Sequence, residues 1–349
     1  MFLAFNEIRH EVRHYTLITA MITLVGLLVF FLTGLAVGLN SAMTSSIRSW
    51  PASTVYLSST SNESVLASFV PEESASALQG TDTALFGLTS VTVEQSDGSQ
   101  VNAFAMGLDA DSFIAPKLTE GDVWAQPGDA VVDESMRDEG YAIGDTFTLA
   151  QSDQELTITG FTDNATYSSY PVMYISIADW QALGVQYDGM VSGVATDGDV
   201  DTASVSGDLT ALSTTDFINA IPGVSAQNIT FGLMIAALII ISAVVLGVFT
   251  YVLTLQKQKV FGVMKAQGIS NGMIGWSVLW QTAFLSIFGS VFAVAVSTAL
   301  GVILPDGVPF TIPVFFWIVI GAIIVVFSLI GALFSVRSAT KIDPLEALR

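Results

Sequence analysis

Four long runs without a charged side chain dominate the pattern of this 349-residue sequence. They extend over residues 15–39, 229–256, 273–304 and 310–336. A helix needs about 20 apolar residues to cross the hydrocarbon core of a bilayer, so each run predicts a transmembrane helix. The first run is longer than the roughly 7–15 apolar residues of a signal peptide, and we expect it to remain as an anchor.

The long segment between the first two runs has another pattern, in which apolar and polar residues alternate with a period of two. This alternation is typical of half-buried strands. Two stretches, IADWQAL and TASVSGDLTAL, are more helical. We predict an α+β domain with a mainly antiparallel sheet, inserted between transmembrane helices one and two. The predicted strands are 54–59, 145–150, 155–161 and 172–177, with a hairpin over 90–109 that turns at 96–99.

The basic residues determine the predicted orientation in the cell membrane. Eight of the 11 lysines and arginines lie in residues 1–14, in 257–265 and in the tail that begins at Arg337. Cytoplasmic segments are enriched in lysine and arginine, so both termini and the short connection are predicted to be cytoplasmic. The segment 40–228 holds three basic residues and 26 of the 31 acidic ones, which predicts an acidic extracellular domain.

These patterns together define an integral membrane protein with four transmembrane helices. The predicted segments are an interfacial amphipathic helix (1–14), the first transmembrane helix and its stalk (15–50), the extracellular α+β domain (51–226), the second transmembrane helix (227–256), a cytoplasmic helix (257–272), the third transmembrane helix (273–304), an outer loop (305–309), the fourth transmembrane helix (310–336) and a cytoplasmic tail (337–349).

Three absences in the sequence limit the function. There is no cysteine, so the outer domain must fold without disulfides. There is no Gly-Lys dipeptide and hence no P-loop to hold a nucleotide. The transmembrane runs are free of charged residues, which argues against a proton or ion pathway. We predict neither catalysis by this chain, nor a metal site, nor binding of nucleic acid.

The connection between the second and third runs, LQKQKVFGVMKAQGISNGMIGW, is longer than a reversal of the chain requires. It predicts a short amphipathic helix at the membrane surface. One interpretation is an interfacial helix whose lysines meet anionic lipid; the other is a docking helix for a cytoplasmic partner. The apolar residues of its predicted exposed face are Val260, Phe261, Val263, Met264 and Ile269.

A resemblance favours the docking helix. The stretch KVFGVMKAQGIS resembles the signature that precedes a transmembrane helix in FtsX-like ABC transporter permeases, and the ending SATKIDPLEALR is similar to that family's C-terminus. The outer segment resembles a MacB-type domain, and the order of one helix, outer domain and three helices is the family's order. Val260 stands where the family often has an acidic residue, and Gln267 replaces a usual leucine.

The resemblance implies a non-enzymatic transport subunit. Two copies of the chain would pair with two cytoplasmic ATPase subunits that bind ATP and Mg²⁺. Closure of the ATPases would push on the coupling helices, and the transmembrane stalks would transmit this motion to the outer domains (mechanotransmission). The implied coupling residues are Lys259, Val260, Phe261, Gly262, Val263, Met264, Lys265 and Gly268.

The size and layout of the chain most resemble the haem-exporting members, which implies haem as the substrate. Haem iron takes His, Met, Tyr or Cys ligands, and both histidines are predicted to be cytoplasmic. Permeases for peptides, antibiotics or lipoproteins and regulators of cell-wall hydrolases share the layout and are the alternatives. The candidate residues of a haem slot near the outer interface are Met43, Trp50, Tyr167, Tyr170, Phe231 and Met234.

Gly34 and Gly38 form a small-xxx-small motif in the first run, which lets helices approach closely. Two interpretations stay open. The glycines either pack against the second copy in a homodimer, or they pack against another helix of the same chain.

The stretch HEVRH matches the H-E-x-x-H pattern of zinc proteases, with His10 and His14 as ligands and Glu11 as general base. The sequence has only two histidines, and Asp306 is predicted at the outer face, across about 30 Å of hydrocarbon. A membrane zinc protease is therefore a remote alternative. We interpret HEVRH as the polar side of an interfacial helix. The apolar side of that helix is Phe5, Ile8, Val12 and Tyr15.

Overall fold

A computed structural model describes residues 12–78, 82–94, 100–150, 152–198, 208–305 and 308–340. The chain divides into two compact units. The helical unit comprises Met1–Gly38 and Asn228–Arg349, and the β-rich unit comprises Leu39–Gln227. The boundary falls within two long helices, and each unit is described by itself.

The described elements, in chain order, are α1 (Val12–Arg48), β1 (Thr54–Ser58), β2 (Val70–Pro71), α2 (Glu72–Ser76), β3 (Asp82–Glu94), β4 (Gln100–Leu108), β5 (Leu118–Gly121), β6 (Asp129–Asp133), β7 (Thr146–Leu149), β8 (Ser152–Thr162), β9 (Thr166–Tyr167), β10 (Tyr170–Ser176), α3 (Ile177–Ala182), β11 (Met190–Val191), β12 (Gly193–Asp197), β13 (Leu209–Ser213), α4 (Thr214–Ala220), α5 (Val224–Gln256), α6 (Gln258–Ala266), α7 (Asn271–Ile303) and α8 (Val314–Thr340).

Four of the described helices, α1, α5, α7 and α8, are long and apolar enough to cross a membrane. They coincide with the four runs in the sequence, which confirms that prediction. The last one begins at Val314, four residues later than predicted. Pro309 and Pro313 explain the difference, because proline restricts the residue before it and is accepted only in the first turn of a helix.

Small residues mark the closest approaches between these helices. A Cβ atom built on Gly247 would lie 3.2 Å from Gly331 Cα, so the backbones of α5 and α8 nearly touch there. A Cβ atom on Gly26 of α1 would lie 2.9 Å from Ala293 Cβ of α7. Close backbone approach through small residues is typical of helices packed in a membrane.

The β-rich unit contains one large sheet in the order β13-β1-β12-β3-β4-β10-β6-β8-β5, with β7 and β9 paired beside this path. A separate two-stranded sheet joins β2 and β11. Most pairs are antiparallel, as predicted, whereas β4–β10 and β6–β8 are parallel. The α-helices confined to this unit have 5 to 7 residues, so its layout is β-rich.

The predicted strands and hairpin are largely confirmed. The hairpin is the antiparallel pair β3–β4, in which Glu94 lies opposite Gln100. IADWQAL contains α3, as predicted. The helical prediction for TASVSGDLTAL (202–212) is wrong over residues 209–212, which belong to β13, and residues 202–207 lie outside the described residues. The backbone of β13 pairs with β1, and this distant partner outweighs the local preference.

Alternation along the strands places two hydrophobic clusters on the faces of the sheet. In β10, Val172 and Tyr174 join one cluster, and Met173 and Ile175 join the other. Successive side chains of a strand point to opposite faces, so the sheet is covered on both sides. Buried aromatic residues such as Phe104 and Trp180 belong to these two clusters.

Candidate functional site

The nine-residue helix α6 connects α5 to α7. Lys257 leaves the helical conformation at φ −93° and ψ 9°, which separates α6 from α5. Gly268 has φ +88°, and the amides of Gly268 and Ile269 donate hydrogen bonds back to carbonyls of the last turn. This is the Schellman arrangement, in which glycine takes the left-handed conformation without strain. The helix is therefore shorter than the predicted segment 257–272.

One face of α6 is fixed to the helical unit. Phe261 is buried and clusters with Ile274 and Val278 of α7, while Met264 and Ile269 pack partly buried against this cluster. The sequence analysis assigned Phe261, Met264 and Ile269 to an exposed apolar face, and the structure turns all three inward. The helix is thereby held as a fixed projection between α5 and α7.

The opposite face of α6 is exposed. Val260 and Val263, one turn apart, are 55% and 43% exposed, and Lys259 lies beside them. We call Lys259, Val260 and Val263 the outer stripe of α6. An apolar pair of this kind, with a basic neighbour, is suited to contact with a partner, and its docking role stays a prediction. The other predicted coupling residues are Gly262, which is buried, Lys265, which is half-buried, and Gly268, which is exposed.

Lys257 differs from the other lysines of this region, because only 8% of it is exposed. Its Nζ donates a hydrogen bond of 2.9 Å to Tyr15 Oη of α1 and lies 5.0 Å from the centre of that ring. Tyr15 Oη in turn donates a 3.0 Å hydrogen bond to Gln281 Oε1 of α7. The sequence analysis used Lys257 only as a cytoplasmic charge, and no periodicity there distinguishes it from Lys259.

The six candidate haem-slot residues lie in different units. Met43, Trp50, Tyr167 and Tyr170 belong to the β-rich unit, and Phe231 and Met234 to the helical unit. Phe231 is half-buried and Met234 is exposed. Neither unit by itself brings the six residues together.

Within the β-rich unit, two candidates are core residues. Trp50 is buried between Phe86 and Phe217, and Tyr167 is buried against Phe104, whose ring centre lies 4.8 Å away. Met43 packs partly buried against the same cluster, and Tyr170 is exposed. Aromatic residues near a predicted membrane interface thus serve here in part as packing.

The chemistry of Tyr167 bears on iron binding. Burial raises the pKa of its phenol well above the usual value near 10. A metal ligand must be deprotonated, so the raised pKa opposes iron ligation by Tyr167. Tyr167 Oη and Trp50 Nε1 are nevertheless buried without a hydrogen-bond partner among the described residues. Buried polar atoms of this kind are commonly satisfied by an ordered water molecule.

Gly34 and Gly38 are covered by their own chain. A Cβ atom on Gly34 would collide with the ring of Phe310, and one on Gly38 with the carbonyl of Pro309. The amide of Thr311 donates a 3.2 Å hydrogen bond to the carbonyl of Gly34. The segment before α8 therefore occupies this face of α1, which favours packing within the chain over the predicted dimer contact.

The HEVRH prediction cannot be placed on the structure. His10, Glu11 and Asp306 lie outside the described residues, as does most of the C-terminal stretch that carries the family resemblance. In the described ranges, no group of three or more histidine, aspartate or glutamate side chains could hold a metal ion.

The fold and α6 define a class of protein: a membrane protein with four apolar helices, an inserted β-rich domain and a short projecting helix. Comparison with known families is more specific, because residues 232–344 match the FtsX-like permease C-terminal family. This part of the chain is an FtsX-like permease domain.

Two relatives from staphylococci are provisionally named hemin transport system permease protein HrtB. The one from Staphylococcus epidermidis is 24% identical over 233 residues, which are 67% of each chain. The one from Staphylococcus haemolyticus is 24% identical over 242 residues, or 69% of each chain. The solved extracellular domain of the ABC-type transporter YknZ from Gram-positive bacteria matches 48% of this chain and 92% of its own length at 13% identity, with a TM-score of 0.33. That likeness is too weak to define the fold.

Proposed function

We propose that this chain is the permease subunit of an ABC-type efflux transporter in the cell membrane and works with a separate cytoplasmic ATPase that binds ATP and Mg²⁺. The observation that carries the proposal is α6, a fixed projection with an exposed outer stripe, inside a segment that matches the FtsX-like family. Two copies of the chain and two ATPase subunits form the proposed assembly. Both termini and α6 face the cytoplasm, and the acidic β-rich unit lies outside.

The outer stripe of α6 is the proposed ATPase contact. Phe261 fixes the helix from behind, so a force on Val260 and Val263 moves the helix as a body rather than bending it. Burial of two exposed valines at an interface would stabilise the contact by about 1.5–3 kcal/mol for each side chain that is fully covered. Lys259 adds a positive charge for an acidic rim on the partner.

Contacts within the β-rich unit support transmission of motion to the outer domain. The 37 residues of α1 correspond to about 55 Å of helix, longer than the roughly 30 Å hydrocarbon core. Near the end of α1, the amides of Ser168 and Ser169 donate 3.0 Å hydrogen bonds to the carbonyls of Met43 and Ala42. Ser45 Oγ lies 2.7 Å from Thr166 Oγ1. A displacement of α1 along its axis would therefore be passed to this turn of the sheet.

Haem is the proposed substrate. The hemin transport named for the staphylococcal relatives, which are 24% identical to this chain, supports it. Haem is a flat amphiphile that enters bilayers. A permease whose outer domain moves could therefore release haem from the outer leaflet. Of the candidate slot residues in the β-rich unit, Met43 is partly buried and Tyr170 is 45% exposed, so these two are the best places to test for contact.

The ATPase contact is tested by Val260→Asp together with Val263→Asp in the full chain. We expect the ATPase to co-purify with the unchanged chain and at least about tenfold less of it with the variant, since one charged group in an apolar contact costs more than 1.4 kcal/mol. The matched control is Val185→Asp, because Val185 is a 94% exposed valine of the β-rich unit. Equal co-purification of all three chains would remove α6 as the contact.

The substrate is tested separately by growth in toxic haem. Cells that lack the gene should grow at lower haem concentrations than cells that carry it, and the chain should need its ATPase for this protection. Unchanged haem tolerance after deletion, with ATPase binding intact, would keep the permease assignment and exclude haem. Protection against a peptide or antibiotic instead would favour the alternative export function.

A further inference from the structure

Lys257, at the start of α6, faces the interior of the protein rather than a partner. Lys257 is the non-helical residue between α5 and α6, and its side chain is buried, whereas Lys259 two positions on is exposed. Burial of an ammonium group is unfavourable unless hydrogen bonds and a suitable environment compensate for it. A buried lysine between α5 and α6 therefore requires compensating contacts.

The contacts of Lys257 join three helices. Its Nζ donates to Tyr15 Oη at 2.9 Å, and Tyr15 Oη donates to Gln281 Oε1 at 3.0 Å. Tyr15 belongs to α1, Gln281 to α7 and Lys257 to the start of α6. This chain of hydrogen bonds links the root of α6 to two membrane helices. We call Lys257, Tyr15 and Gln281 the joint.

Phe261 adds a second contact at the joint. It lines the same small cavity of about 20 Å³ as Tyr15, Lys257 and Gln281. A cavity of that size holds roughly one water molecule. Phe261 is itself buried against α7, so a displacement of α6 also presses on this side of the joint.

Polar and apolar contacts respond differently when a helix moves. Apolar side chains can slide along each other at little cost, while a hydrogen-bonded ammonium group keeps one register, because a lost partner leaves a buried charge. A push on the outer stripe would turn or shift α6 about Lys257. The hydrogen bonds to Tyr15 would then carry this motion into α1.

We propose that Lys257 is a positioning residue that couples movement of α6 to α1 and α7 through Tyr15 and Gln281. This inference rests on the proposed function, because it requires that a partner drives α6. Lys257 has no role in ATP binding or in substrate contact. Its loss should uncouple ATP hydrolysis from transport without releasing the ATPase.

The test uses the complex of the full chain with its ATPase in proteoliposomes, and measures ATP hydrolysis and haem release together. Lys257→Met keeps the length of the side chain and removes its charge. Coupling between sites typically changes an equilibrium about 5–150-fold, so we expect haem release per ATP to fall about tenfold in this variant. Tyr15→Phe, which keeps the ring and removes the hydroxyl that joins Lys257 to Gln281, should lower the ratio to a similar extent, and Lys257→Arg should retain most of it. Lys117→Met, at an exposed lysine of the β-rich unit, is the control for loss of one lysine.

A second readout does not depend on the substrate. The chain has no cysteine, so Leu17→Cys provides a single labelling site on the exposed side of α1, two residues from Tyr15. ATP should change the mobility of a spin label at this position in the otherwise unchanged chain and leave it unchanged in Lys257→Met. A label that responds to ATP equally in both chains would overturn the inference, whatever the substrate is.

Two further outcomes separate the causes of failure. If Lys257→Met lowers thermal stability and ATPase co-purification together, and Lys257→Arg restores neither, the residue is only structural and the inference is wrong. If the unchanged chain binds no ATPase, the proposed function itself fails and takes the inference with it. A loss of coupling with retained assembly, reversed by arginine, supports the joint.

Discussion

The two units of this chain, each taken by itself, differ in where many of their large apolar side chains lie. In the helical unit the closest approaches lie at glycines, as between Gly247 and Gly331, and large apolar residues such as Phe315 point outward. In the β-rich unit the large side chains, such as Trp180 and Phe161, are completely buried.

The difference follows from the surroundings each unit meets. Lipid is as apolar as a leucine side chain, so burial of large apolar groups gives little driving force between membrane helices, and close backbone contact takes its place. In water the burial of apolar area is the main driving force, and large aromatic side chains contribute most. One chain thus follows two packing rules, and substitutions at matched positions should separate them.

The largest effect is expected from Trp180→Ala in the β-rich unit. Trp180 has no exposed surface, and its indole lies against Gly87 and Gly107, where any Cβ atom would collide with it. Removal of such a side chain typically costs about 3–5 kcal/mol. Thermal unfolding of the purified chain in detergent, followed by near-ultraviolet circular dichroism, should show the loss.

The matched control for this prediction is Trp276→Ala in the helical unit. Trp276 is 61% exposed on α7, so we expect its loss to change the unfolding temperature far less. Equal destabilisation by the two tryptophan variants would contradict the idea that an outward-facing tryptophan of the helical unit adds little to stability.

The second largest effect is expected at the glycine contact of the helical unit. A Cβ atom on Gly331 would lie 2.5 Å from the carbonyl oxygen of Ala243 and 3.1 Å from the amide nitrogen of Gly247. Gly331→Val should therefore separate α5 from α8 and cost about 2–3 kcal/mol, the upper range for overpacking. The thermal unfolding of the helical signal in far-ultraviolet circular dichroism measures it.

Gly321 provides the control on the same helix. A Cβ atom there would meet no atom within 4 Å, so Gly321→Val should leave the unfolding temperature almost unchanged. If both valine variants unfold at the temperature of the unchanged chain, close glycine contact is not what holds α5 and α8 together.

Sequence alone predicts the parts of this fold that repeat a simple period. The apolar runs identify α1, α5, α7 and α8, and alternation identifies β8 and the hairpin, because both signals are local. It does not predict β13, since that strand depends on pairing with the distant β1. It places the start of the last helix too early, because an apolar run continues through Pro313 although the helix does not.

Sequence alone also fails to predict which residues of the candidate sites face solvent or protein. Composition cannot tell whether a lysine at a helix joint faces water or protein, so Lys257 and Lys259 looked alike. It cannot tell whether Trp50 and Tyr167 line a slot or fill a core, because the same aromatic side chains suit both. For Gly34 the spacing permits contact with either chain, and only the position of Phe310 distinguishes the two.

The third prediction concerns two copies of one capping motif in the β-rich unit. Ser176 and Asp179 cap α3, and Ser213 and Asp216 cap α4, each with a 2.7 Å hydrogen bond between the side chains. Asp179 is buried and also accepts hydrogen bonds from the Gly128 amide and the Gln154 amide group. Its removal leaves two partly buried donors without this acceptor, and an unsatisfied buried group costs about 1–3 kcal/mol.

Asp179→Ala should therefore lower the free energy of unfolding by about 2 kcal/mol, and Asp216→Ala by less than about 1 kcal/mol, the usual value of an exposed cap. Urea unfolding of the two variants gives the difference directly. An equal loss in both would mean that the additional hydrogen bonds of Asp179 contribute nothing beyond the cap.

The smallest effect is expected from Asp109→Asn in the β-rich unit. Partial burial raises the pKa of Asp109, and the nearby charges of Asp111 and Glu72 raise it further. The folded state therefore binds a proton at this carboxyl more tightly than the unfolded chain does. The ionised carboxylate opposes folding above its raised pKa, and this opposition disappears as pH falls below the unfolded value of about 3.9.

Asparagine should stabilise the chain at pH 7 by only a few tenths of a kcal/mol, about the size of exposed charge effects, because solvent screens this mostly exposed group. The gain in unfolding temperature should shrink as the pH is lowered towards 3; a gain of equal size at pH 7 and pH 3, or a loss at pH 7, would show that the acidic surface of this unit does not oppose its own folding at Asp109.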